Sequence, residues 1–188
     1  MQFRHILAAA LLSAVTVCAG EISVGAPAPP MKLKDMSGKS VAVNASGKVT
    51  VVTFISTKCP ISNDYNDRMS AVYKEYANKG VNFYFVNANF TEPAAEIAEH
   101  KQSVGFPFAV YQDGDAADQL GAQVTPEAFV FNAEGKLVYH GYVDDSRNAA
   151  RVTKNGLRDA LDATLAGKPV PQATTKAFGC TIKRARKS

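Results

Sequence analysis

A chain of 188 residues, 46% hydrophobic and 20% charged, suits one compact domain with a real core and leaves no room for two large ones. Its formal charge of +4 resides at the ends. With Arg4 and the tail cations Lys183, Arg184, Arg186 and Lys187 set aside, basic and acidic residues nearly balance, which excludes the basic face that nucleic-acid binding by the body requires.

The segment 1–19 reads as a signal peptide. Arg4 and His5 precede an apolar run from Ile6 to Val17, and Val17 and Ala19 are spaced for cleavage before Gly20. The run is too short to span a bilayer and no second one follows, so leader removal predicts no stable membrane insertion. Cys18 does not read as a lipid anchor, because Val17 before it is large where a small residue is needed. A periplasmic or secreted location follows, with a body over 20–167 and a tail over 168–188. Export leaves Cys59 and Cys180 in an oxidising compartment, where they are available as a structural or a redox-active pair.

Along the body, Gly25 to Pro30 is a stiff lead-in. Met31 to Met36 and Ser40 to Val43, either side of Ser37-Gly38-Lys39, predict a β-hairpin. The run Val49 to Ile55 is β-branched and apolar throughout, as expected of a strand covered on both faces. In Pro60 to Asn78 the apolar residues Ile61, Tyr65, Met69, Val72, Tyr73 and Tyr76 recur at helical spacing. Val81 to Val86 is the next strand, and Thr91-Glu92-Pro93 opens a helix ending near Gly105. Phe106 to Tyr111 reads as extended and Asp115 to Leu120 as a short helix. Glu127 to Phe131 and Lys136 to Val143 make an antiparallel hairpin about the turn Asn132 to Gly135. Leu157, Ala160, Leu161 and Leu165 mark a last helix stopped by Gly167. This order predicts an α/β fold, a mixed sheet flanked by helices.

The chemistry centres on Ser56-Thr57-Lys58-Cys59-Pro60-Ile61-Ser62, where the buried strand gives way to the helix. Pro60 suits the first helical position, which puts Cys59 at the cap. Free backbone N–H groups there, together with Lys58, are expected to favour a thiolate. A second feature is Val124-Thr125-Pro126 ahead of the strand Glu127 to Phe131. A proline cannot donate to a sheet ladder, and X–Pro is where cis bonds occur.

Together these features resemble the thioredoxin superfamily, in particular its redoxin branch of AhpC/TSA-type, peroxiredoxin-like and periplasmic thioredoxin-like proteins. The resemblance covers about 25–166 and implies a thioredoxin-like fold with an N-terminal hairpin and an inserted helix and strand. It further implies that Cys59 is the nucleophile, and that Thr125 and Pro126 guide the backbone of a substrate, with Pro60 at the helix start as a further substrate-binding residue. No cofactor and no metal are implied. The implied partners are a protein disulfide or a peroxide, with an external thiol reductant.

The departures from the family pattern matter as much. A dithiol motif has its second cysteine where this chain has Ser62, whose hydroxyl can still bond a thiolate, as can that of Ser56. Peroxiredoxins carry Pro and Thr at the positions of Val52 and Ser56, and an arginine near the thiolate where Thr125-Pro126 stands. The resolving role therefore falls to Cys180, within the apolar island Ala177 to Ile182. A Cys59–Cys180 disulfide is the expected oxidised form, either as part of a catalytic cycle or as a static staple. The leading reading is an exported thiol–disulfide oxidoreductase. The alternatives are a thiol peroxidase and a non-enzymatic module binding copper or a protein, the copper ligands being Cys59, Cys180 and His140. Asp144 and Asp145 read as capping or solvated residues, and His140 as a packed surface histidine.

Overall fold

The computed structural model describes residues 21–185, so the expected leader lies outside the described residues. The strands are β1 (Lys32–Lys34), β2 (Ser40–Ala42), β3 (Thr50–Ile55), β4 (Asn82–Asn87), β5 (Val110–Asp113), β6 (Val124–Thr125), β7 (Glu127–Phe131), β8 (Leu137–Gly141) and β9 (Cys180–Thr181). The helices are α1 (Pro60–Asn63), α2 (Asn66–Ala77), α3 (Ala94–Val104), α4 (Ala116–Leu120) and α5 (Gly156–Leu165). One seven-stranded sheet runs β2-β1-β5-β4-β3-β7-β8, and β6 with β9 forms a separate two-stranded sheet.

All six residues of β3 are buried, because this strand lies between β4 and β7 and is covered on both faces. Its side chains alternate between two cores. Val51 and Ile55 join Met69, Val72 and Tyr76 of α2 and Leu157, Ala160 and Leu161 of α5. Val52 and Phe54 join Leu33, Ala116, Leu120 and Phe129, with the Phe54 and Phe129 rings edge to face at 5.9 Å. Each of the Val, Leu, Ile, Phe and Met side chains among them contributes roughly 1.5–3 kcal/mol of burial. The parallel pairs β3–β4 and β4–β5 and the antiparallel pairs β3–β7, β7–β8, β1–β2 and β1–β5 make the sheet mixed. The chain has the mixed α/β architecture that its element order predicts and the thioredoxin-like fold that the resemblance implies.

The helix expected over Pro60 to Asn78 is two helices, α1 and α2, broken at Asp64 and Tyr65. The periodic apolar face is real, but at the break polar groups set the geometry. Tyr65 is 1% exposed, meets the ring of Phe178 and donates its hydroxyl to Asp144 O at 3.3 Å. The Arg68 guanidinium lies 3.6 Å over the Tyr65 ring and bonds both Asp144 carboxylate oxygens at 2.7 Å. It also donates to the carbonyls of Asp64, Ser146 and Arg147, so one side chain satisfies the end of α1 and the loop after β8. Asp144, expected to be a capping or solvated residue, is buried and carries this pair.

The tail is part of the packed body. Thr175 exchanges backbone contacts with β8: its N–H donates to His140 O, and His140 N donates to Ala173 O, each at 3.0 Å. Gly141 allows this crossing, since a Cβ there would collide with Thr175. Phe178 packs on the first core and Ile182, 4% exposed, belongs to the second.

Asp144→Ala is expected to cost about 3 kcal/mol by stranding the Arg68 guanidinium in a largely buried site. Urea unfolding reads this as a lower midpoint at unchanged slope. A loss well under about 1 kcal/mol would show that water replaces the carboxylate and that another contact fixes the helix break.

Candidate active site

The pairing of β3 with β7 brings the site together. Phe54 lies opposite Glu127, so the chain leaving β3 meets the chain entering β7, and Cys59 comes beside Thr125. The Thr125–Pro126 peptide is cis. Cys59 caps α1 with extended backbone (φ −81°, ψ 114°), and Pro60 follows as the first helical residue. The cysteine is 3% exposed. Its Sγ accepts from Ser62 N at 3.3 Å and lies 3.4 Å from Thr125 O, an acceptor for the thiol once the sulfur is reduced.

Behind the sulfur is a buried polar network. Ser56 Oγ donates to Glu92 Oε1 at 2.7 Å, which leaves its lone pairs to accept from Cys59 N at 3.0 Å and Lys58 N at 3.2 Å. Glu92 Oε2 accepts from Thr57 N at 2.7 Å and Asn87 Nδ2 at 2.6 Å. Ser62 Oγ accepts from Ser56 N at 3.1 Å. Both serines thus shape the turn that presents Cys59: Ser56 acts on the cysteine's own N–H, and Ser62 reaches the sulfur through its backbone N–H. Glu92 is 3% exposed. Burial raises its pKa, but the hydrogen bonds from Asn87, Ser56 and Thr57 outweigh burial and hold the carboxyl below its ordinary value.

Glu92 and Asn87 escaped sequence reasoning, which took Thr91-Glu92-Pro93 as a helix start. The available signal was the polar Asn87, Asn89, Thr91 and Glu92 interleaved with Ala88 and Phe90 directly after the apolar strand end Val86. Lys58 also differs from expectation. Its Nζ is 2.9 Å from the Glu96 carboxylate and 3.1 Å from Thr91 O, so its charge is directed away from the sulfur. With α1 four residues long, the Ser62 N–H is the specific donor that the sulfur meets.

Cys59 and Cys180 form a disulfide across 121 residues, with Cα atoms 5.8 Å apart. The pairing β6–β9 sets Thr125 opposite Cys180 and Val124 opposite Thr181. The cis-proline loop thereby holds an extended strand by its backbone, and that strand is the chain's own tail.

Of the ligands considered for copper, the two sulfurs are bonded to each other. His140 is buried rather than on the surface, stacked on Phe129 at 5.7 Å. Its metal-capable neighbours among the described residues are Glu21 and Glu127, the three ligand atoms lying within 4.8 Å of one another. Carboxylates and an imidazole do not make the soft set that copper(I) prefers. Arg147 pairs with Asp64.

Glu92→Gln is expected to cost about 1–3 kcal/mol, because an amide must turn an NH2 group toward one of three donors that the carboxylate accepts from. Glu92 has a lowered folded pKa, so its contribution is present above the unfolded carboxylate value and is lost as pH falls through the folded one. The wild-type advantage over Glu92→Gln in urea unfolding should therefore be full at neutral pH and shrink below the ordinary carboxylate range. A constant gap down to that acidity would mean that Glu92 does not carry the charge assigned to it.

Known proteins place these features in context. Over 119 residues the chain is 26% identical to a protein named thiol-disulfide oxidoreductase ResA from Bacillus thuringiensis subsp. konkukian, covering 63% of this chain and 69% of that one. An uncharacterized conserved protein from Geobacillus kaustophilus superposes with a TM-score of 0.80 at 31% identity, over 88% of this chain and 94% of its own. A putative thiol:disulfide interchange protein DsbE from Chlorobium tepidum shares the fold at 21% identity and a TM-score of 0.65, over 77% of this chain and 99% of its own. The AhpC/TSA family model matches residues 24–140, which is most of the body and includes Cys59 and the cis-proline loop. This chain belongs to the AhpC/TSA family.

Proposed function

We propose that the protein is a thiol–disulfide oxidoreductase of the redoxin type, exported by a leader cut before Gly20 and working in the periplasm or outside the cell. Cys59 is the nucleophile and Cys180 the resolving thiol. The observation that carries this reading is the bond between two sulfurs 121 residues apart, made beside a cis-proline loop whose backbone already holds a strand.

In the reducing direction, the Cys59 thiolate attacks one sulfur of a partner disulfide. A Cys59–partner disulfide forms, and the partner's other sulfur leaves with the electron pair. The Cys180 thiolate then attacks Cys59 Sγ, forms the intramolecular disulfide and expels the partner as a dithiol. Two electrons have passed to the partner, and an external dithiol restores both cysteines. The Ser62 N–H stabilises the Cys59 thiolate that starts the exchange, and Ser56, itself held by Glu92, keeps the turn in place. Thr125 and Pro126 supply the edge along which the partner strand lies. A peroxidase would start from the same thiolate, but Val52 and Ser56 stand where peroxiredoxins have Pro and Thr.

Reduced Cys180→Ser, offered a protein disulfide, is expected to accumulate mixed disulfides at Cys59. Wild type should turn over, and Cys59→Ser should do neither. Mass spectrometry under non-reducing conditions reads all three. If Cys180→Ser reacts no faster than a free thiol, the exchange reading falls; fast, saturable oxidation by peroxide with no reaction toward disulfides would favour the peroxidase instead. The oxidised form should also be more stable than the reduced by about 5 kcal/mol in the chain-entropy model for a loop of this length.

A further inference from the structure

The tail does more than deliver a sulfur. From Phe178 to Arg184 it lies along the cis-proline loop, paired as a strand at Cys180 and Thr181, and from Cys180 onward its residues alternate between buried or half-buried and exposed. Resting on the exchange role of Cys59, we infer that this track is a peptide-binding site of defined specificity. Its partners are protein segments that add as a strand carrying an aromatic residue, Gly, Cys, any residue, an aliphatic residue, any residue and Arg, and the tail is the resident copy.

The backbone contacts are of the kind any sequence can make. Beyond the Thr125–Cys180 and Val124–Thr181 pairs, Ile182 N donates to Gln123 O at 2.9 Å, Lys183 N to Asn89 Oδ1 at 2.8 Å, and Phe90 N to Lys183 O at 2.9 Å. Strand addition of this kind takes its affinity from the main chain and its selectivity from alternate side chains.

The positions on either side of the cysteine are demanding here. Before the cysteine, Gly179 sits so close to the Thr125 carbonyl that a Cβ would overlap it, and that obstacle is backbone rather than a movable side chain. Two residues after the cysteine, Ile182 fills a slot in the second core. Two further on, Arg184 pairs with Asp118 at 2.7 Å and donates to the carbonyls of Ala117 and Ala122, at the rim of a cleft also lined by Asp113, Asp115 and Glu92. Two before the cysteine, Phe178 meets Tyr65 edge-on at 6.3 Å. Thr181 and Lys183, in between, are exposed and read nothing. A partner's cysteine reaches Cys59 along this track only by taking the tail's place, so it meets the same four requirements.

The test uses full-length Cys180→Ser, reduced, and the peptide Phe-Gly-Cys-Thr-Ile-Lys-Arg activated as its mixed disulfide with thionitrobenzoate. Cys59 attacks the peptide sulfur, the Cys59–peptide disulfide forms, and coloured thionitrobenzoate leaves with the electron pair. Replacing Gly by Ala or Ile by Asp in the peptide is expected to slow release roughly tenfold or more, while replacing Thr by Lys leaves it unchanged. Adding Ile182→Asp to the protein, which weakens the resident strand's hold, should speed the parent peptide and keep the ranking. Equal rates for all peptides in both proteins, or no peptide reaction in either, would overturn the specificity. The small reagent dithiobis(nitrobenzoate) separates this from failure of the exchange role: if it labels Cys59 while the peptides are not distinguished, exchange stands and the track does not. If it too fails to label Cys59, the fault lies in the exchange reading.

Discussion

The antiparallel register between Phe54 and Glu127 is the constraint on which the site depends. Residues beyond Phe54 and residues ahead of Glu127 must then share one end of the sheet, which is where Cys59 and Thr125 lie. A slip of one residue would turn Val52 and Phe54 out of their core and move the cysteine away from the loop. The cores on both faces therefore do chemical work at a distance. Val51 and Ile55 on one side and Val52 and Phe54 on the other tolerate a single register, and that register sets the position of the sulfur. The same end of the sheet receives the tail, because β6 has a free edge there and β9 takes it.

Within that frame the sulfur's surroundings are less simply cationic than a cysteine at a helix start suggests. The nearest lysine is committed to Glu96, and the buried charge behind the turn is the Glu92 carboxylate. Its role is to accept: three donors converge on it, one being the hydroxyl of Ser56, so Ser56 is left to accept from the N–H of Cys59. An amide at 92 would leave a donor facing a donor in a buried turn. The carboxylate thus favours one conformation of the turn, while Ser62 N supplies the hydrogen bond that favours sulfur as an anion.

Much of this architecture can be read from residue order. Most strands with period two or unbroken apolar runs, helices at three-and-four spacing and the glycine stops at 105 and 167 recur as elements with shifts of a few residues, although the extended piece expected from Phe106 begins as β5 only at Val110 and the first helix is split in two. The cysteine–proline pair and Thr125-Pro126 could be singled out because their backbone requirements are local. What escaped has a common cause. The break between α1 and α2 depends on Arg68 meeting Asp144, and the network at Cys59 depends on Glu92 meeting Ser56. Each joins residues far apart in the chain, through side chains whose types are as common on surfaces as in cores. Strand β9 is two residues long, too short to show any period, and it forms only because Thr125 offers an edge and Gly179 permits the approach.

The docked tail also bears on the energetics of exchange. A resolving thiol on a loose arm would meet Cys59 at the modest effective concentration of a long flexible loop. Here Phe178 precedes Cys180 and Ile182 follows it, both packed into the body, while Thr175 is fastened to β8. Each anchor raises the local concentration of the Cys180 sulfur at Cys59, which stabilises the intramolecular disulfide relative to two thiols and lowers the reduction potential of the pair. The reduced protein gains driving force as an electron donor by the same amount. The anchors act against entry as well, since a partner strand must displace what holds the tail. In the proposed cycle, tight docking therefore favours expulsion of the reduced partner and disfavours its admission, so that the Ile182 slot and the Thr175 clasp would set the balance between the two steps without touching either sulfur.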